Sequence, residues 1–136
     1  MSYGMGAALQ AAVFQHLEQD ATVTGLVGTS IFDAAPLGNV PGTYVVLGPE
    51  EVTDRSDGSH SGAMHEFTVS VVSDTAGFQL AKTVASAVSD SLVDTDLTLT
   101  RGRLVSLNFV KAKAERSTTG AQRSVDLRFR ALLEDS

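Results

Sequence analysis

Residues 24–48 read TGLVGTSIFDAAPLGNVPGTYVVLG, and the order of signals in this stretch decides the fold. Gly25 and Gly28 flank Leu26-Val27 and predict the end of a helix, because glycine tolerates the left-handed backbone that closes one. An apolar pair, Ile31-Phe32, comes next, then a connector rich in breakers: Pro36, Gly38, Asn39, Pro41 and Gly42. Tyr44-Val45-Val46-Leu47 is aromatic and β-branched, which predicts a short strand ended by Gly48-Pro49. The stretch holds one acid, Asp33, and no His, Cys, Lys or Arg, so it is architecture and carries no chemistry.

Upstream, residues 6–19 read as a helix, with Leu9, Val13 and Leu17 at a spacing of four and Phe14 beside them. Downstream, EEVTDRSDGSHSG at residues 50–62 is polar and rich in Gly and Ser, and predicts a long, mobile hairpin loop. Residues 64–73 alternate, Phe67, Val69 and Val71 pointing one way and Glu66, Thr68 and Ser70 the other, as in a half-buried strand. Asp74 or Thr75 is placed to cap a second helix, whose apolar stripe is Phe78, Ala81, Ala85, Val88 and Leu92 and whose end falls near Asp94. Leu97-Thr98-Leu99 reads as a short strand or strand-like connector. Val105, Leu107 and Phe109 alternate in a further strand, ERSTTG at 115–120 forms a turn, and Val125, Leu127, Phe129 and Ala131 alternate with Asp126, Arg128 and Arg130 in a last one. The last two long strands predict an antiparallel hairpin. The fold class is α+β, a mainly antiparallel β-sheet with two α-helices packed on one face, in a single domain over residues 1–136.

The chain has no cysteine, which excludes a disulfide scaffold, a thiolate nucleophile and a zinc finger. Its start lacks the basic and apolar regions of a secretory signal, and no run approaches the ~18 apolar residues of a membrane span, so synthesis and use in the cytoplasm are expected. The net charge of −6 divides unevenly: residues 1–100 carry 12 acids against Arg55 and Lys82, and residues 101–136 carry 8 bases against 4 acids. A polarised chain of this kind attracts a copy of itself when the two regions meet.

Catalytic signals are missing. His16, His60 and His65 lack the spacing of a one-face metal pair, and solvated histidines are the expected reading. Ser59, His60 and Asp57 are near neighbours in one loop, where they do not hold a nucleophile, base and orienter in line. Gly4-x-Gly6 precedes a helix but follows no strand, so it is not a dinucleotide-binding turn. Neither a catalytic residue nor a metal ligand is assigned.

In its order of elements the chain resembles the small tail-terminator, or tail-completion, proteins of long non-contractile phage tails and of gene transfer agents. The resemblance begins with the Leu26-Val27-Gly28 turn, Ile31-Phe32, the proline loop and Pro41-x-x-Tyr44-Val45-Val46-Leu47. It continues through FTVSV at 67–71, the amphipathic helix and VDLRFR at 125–130, and the polar loop 50–62 is a departure from it. It implies a structural virion assembly protein with no catalysis and no cofactor: a homohexameric ring that caps the tail tube, stops its polymerisation and joins the tail to the head. Implied partners are further copies of the chain, the tail tube protein and a head–tail connector or neck protein. DNA passes through the channel without specific binding, and no membrane is involved. The implied location is the tail or neck of a virion or phage-like particle, after synthesis in the bacterial cytoplasm. Arg123, Arg128 and Arg130 are the expected subunit interface, facing acids of a neighbour, while Glu50, Glu51, Asp54 and Asp57 line the channel or dock a partner. Two alternatives stay open, another head–tail connector (head-completion or adaptor) protein and a small-ligand-binding α+β dimer.

Overall fold

The computed structural model of the protein describes residues 3–34, 36, 42–93, 95–117 and 120–135. Helices α1 (Gly6–Gln19), α2 (Ala21–Val27) and α3 (Gln79–Leu92) cover one face of a five-stranded sheet. The strands are β1 (Ile31–Phe32), β2 (Thr43–Asp54), β3 (Ser61–Ser73), β4 (Arg103–Arg116) and β5 (Arg123–Asp135), in the order β1-β2-β3-β5-β4. Among the described residues only the short β1–β2 pairing is parallel. The expected α+β class holds.

Strand alternation builds the core. In β3, Phe67, Val69 and Val71 turn inward, and in β5 Val125, Leu127, Phe129, Ala131 and Leu133 do the same. Leu9, Val13 and Leu17 of α1 and Ala81, Ala85, Val88 and Leu92 of α3 close over them, as the helical spacing predicts. The small residues of α3 let its backbone approach the sheet. At the turn into β4 only glycine fits: Gly102 has φ 79°, and a Cβ there would strike Met5 Sδ and lie 2.8 Å from the carbonyl oxygen of Glu134.

The structure departs from the sequence-based expectations for the elements in four places. The stretch after α1 is a separate helix, making three helices among the described residues where two were expected. Asp20 starts α2, its carboxylate accepting from the amides of Thr22 at 2.9 Å and Val23 at 3.1 Å, and Gly28, at φ 62°, ends it. Strand β2 does not stop at Gly48-Pro49 but continues to Asp54, and β3 begins at Ser61, so the long loop 50–62 contracts to residues 55–60. The physical reason is pairing: β3 offers backbone partners that make a strand of a segment too polar to predict as one. Helix α3 begins at Gln79, because the expected caps are engaged elsewhere. Asp74 accepts from the Gly42 amide at 3.0 Å, and the Thr75 hydroxyl lies 2.8 Å from that of Ser73. Residues 97–99 take the connector form of the two expected, with Leu97 buried. Finally, the turn expected over 115–120 starts later, because β4 runs to Arg116. Gly38, Asn39 and Pro41 of the connector, Asp94 at the expected helix end, and Thr118 and Thr119 of the turn lie outside the described residues.

Candidate functional site

The three arginines expected at a subunit interface do not share a face. By strand parity Arg128 and Arg130 stand on the open side of the sheet, away from the helices, while Arg123 shares the helix side with Val125 and Leu127. There the Arg123 guanidinium donates to the Thr75 carbonyl at 3.3 Å and lies 6.0 Å from the centre of the Phe78 ring. Arg130 donates to Glu66, its neighbour across the β3–β5 ladder, at 2.8 and 3.1 Å. Arg128 faces Thr68 on one side and Lys111 on the other. Among the described residues neither Arg128 nor Lys111 has a carboxylate within ion-pair distance.

The acids of β2 are also divided, and a bulge divides them. Leu47 pairs with Val69 and Glu50 with Phe67, so Gly48 and Pro49 together oppose Thr68. The extra residue turns Glu50 to the helix side and Glu51 to the open side. Glu50 accepts a hydrogen bond from the Tyr3 hydroxyl, which pushes the phenol pKa up, and lies 3.5 Å from Nδ1 of His65. His65 is fully buried against the Tyr3 ring, the centroids 6.4 Å apart. Sequence reasoning placed His65 in solvent; the odd-numbered parity it shares with Phe67 was the available signal. Glu51 lies directly across from Glu66, a pairing of like charges.

Asp54 and Asp57 knit the short turn. Asp54 accepts from the Ser56 hydroxyl at 2.7 Å, and Asp57 from the amides of Ser59 at 2.9 Å and His60 at 2.8 Å. These bonds favour the ionised carboxylates and hold both acids below the usual range, the Ser56 hydroxyl leading for Asp54 and the Ser59 amide for Asp57. Ser59 Oγ sits 3.1 Å from His60 Nδ1 and Asp57 Oδ1 sits 3.4 Å from that same nitrogen. A nucleophile and an orienter must meet opposite nitrogens of the ring, so this trio makes no relay. Between α1 and the sheet an apolar cleft lined by Val13, Leu47 and Phe67 encloses about 30 Å³, room for a water and far below the few hundred Å³ of a small-molecule site.

Strand β4 carries what the periodicity concealed. Of Val105, Leu107 and Phe109 only Leu107 is buried; Val105 and Phe109 are 42% and 45% exposed. One bulge falls between Leu104 and Ser106, adding Val105 to the strand, and a second between Phe109 and Lys111. Phe109 keeps its ring edge on Phe129, centroids 6.1 Å apart, at the border of the helical cover. Arg103 and Arg101 tie this end of the sheet to β5 through Glu134 at 2.6 Å and Asp135 at 2.7 Å.

Among the described residues the geometry offers charged surfaces and strand edges. A comparison with curated proteins finds no match. Among solved structures, one chain of a native gene transfer agent virion is 54% identical, with a TM-score of 0.92, over 98% of this chain and 99% of that one. The family model described as tail completion protein gp17 matches residues 11–134. That family is one of structural tail components, not enzymes, and the chain belongs to it.

Proposed function

We propose that the protein is the terminator of a phage-like tail: a hexameric ring that caps the finished tail tube, stops its growth and joins it to the neck of the filled head. The observation that carries this reading is the 54% identity, over nearly the whole of both chains, to a component of a gene transfer agent virion. The same match supports a place in a gene transfer agent or related particle. Closing a ring from one kind of subunit requires two different, complementary surfaces. The polarised charge supplies them, and of the three arginines Arg128 is the one placed to meet a neighbour's acid. In this reading Asp57, exposed on the turn at 55–60, faces the channel, where its carboxylate keeps phosphate from binding as DNA passes.

Removal of the gene tests the reading. Expected are tails of uncontrolled length, unjoined to filled heads; head-attached tails of normal length refute it.

A further inference from the structure

The two edges of the sheet are unlike, and each carries a charge that its own subunit leaves unanswered. Strand β4 pairs only with β5, and among the described residues its outer side meets no strand. From Lys111 to Arg116 it is regular, without a bulge, and exposed on both faces. Ala112 and Ala114 leave the backbone open on the helix side, and Lys111 and Lys113 stand on the other. At the far edge β1 covers β2 only at Val45 and Val46, so the run from Glu50 to Asp54 is uncovered among the described residues.

Both edges contain a like-charge pair. Lys111 lies directly across from Arg128, and Glu51 directly across from Glu66. Glu66 is answered by Arg130, but among the described residues Lys111, Arg128 and Glu51 have no ion-pair partner. Like charges opposite one another destabilise a ladder. A long edge with exposed apolar groups, here Val105 and Phe109, is a liability that proteins cover. Both costs are relieved together if the basic edge of one copy receives the acidic edge of another.

We propose that β4, through Lys111 and Lys113, adds to the uncovered edge of β2, at Glu51 on the same open face, of a second copy, so that the sheet runs on from subunit to subunit. This inference rests on the ring reading above and assigns the surfaces that close it. The contact is head to tail, each copy giving one edge and receiving the other, which closes a ring without a two-fold axis.

A charge swap tests it. The parent is compared with Lys111→Glu/Lys113→Glu and with Glu51→Lys by light scattering across a dilution series, with circular dichroism to verify folding. Each variant should raise the concentration of half-dissociation by about fivefold or more, because attraction becomes repulsion at every contact. An equimolar mixture of the two variants should assemble again, since the acidic β4 of one meets the basic β2 of the other around an alternating ring. If either folded variant assembles as the parent does, or the mixture stays dissociated, the edge assignment falls and the ring reading stands. A parent that remains monomeric at every concentration overturns both.

Discussion

Phe129→Ala should cost this protein about a quarter or more of its stability. The side chain is fully buried on β5, stacked on Phe67 at 5.6 Å and met edge-on by Phe109 at 6.1 Å. Removing a buried phenylalanine costs about 3–5 kcal/mol, because the transfer energy is lost and the cavity collapses only in part. Collapse is hindered here, since Phe67 and Phe129 are held opposite each other by the ladder that joins β3 to β5. The aromatic contacts add about 0.5–1.5 kcal/mol each, so the upper part of the range is expected. Against a total of about 5–15 kcal/mol this is severe but leaves a folded population. Urea titration followed by circular dichroism measures it. Repeating the titration at several protein concentrations separates the loss from any contribution of assembly. Phe109→Ala, at 45% exposure, is the internal comparison and should cost the isolated subunit well under half as much. A loss below about 1.5 kcal/mol for Phe129→Ala, with an unchanged denaturant slope, would refute the argument that this ring sits in a rigid, filled core.

Asp20→Ala should destabilise by about 1 kcal/mol at neutral pH through loss of the α2 cap. The Ser91 hydroxyl, with the Val23 and Thr22 amides, holds the Asp20 carboxyl below its ordinary range, so its contribution is complete above about pH 4 and disappears as pH falls through the depressed value. Parent and variant should therefore converge in acid, and a gap that persists at pH 2 in urea titrations contradicts the capping role. Arg130→Ala should cost under about 1 kcal/mol in the isolated subunit, because its side chain is 46% exposed and that of Glu66 31%; a double-mutant cycle with Glu66→Ala giving more than about 2 kcal/mol would show the pair to be structural. Asp57→Lys in every subunit should slow DNA release while rings and joined tails still form, measured as the rate of DNA delivery by purified particles; an unchanged rate removes Asp57 from the channel.

Much of the fold was legible in the chain because it is written in local periodicity. Phe67-Val69-Val71 and Val125-Leu127-Phe129 alternate, and a period of two has one way to bury its apolar set. Leu9-Val13-Leu17 and Ala81-Ala85-Val88-Leu92 recur at helical spacing, so both long helices and the face each buries were determined before any contact was known. The same alternation, read one step further, separates Arg123 from Arg128 and Arg130. Tertiary structure decided what lacks a local signature. The polar run from Glu50 to Asp54 is a strand only because β3 hydrogen-bonds to it, and the bulge at Gly48-Pro49 that turns Glu50 toward His65 exists only within that pairing. Asp74 and Thr75 have the chemistry of helix caps, but Gly42 and Ser73 engage them first. Whether Phe109 is buried depends on how far the helices reach over β4, and whether Lys111 finds a partner depends on what stands across the ladder from it. Periodicity sets what each residue prefers, and only the assembled sheet sets which neighbours are present to satisfy it.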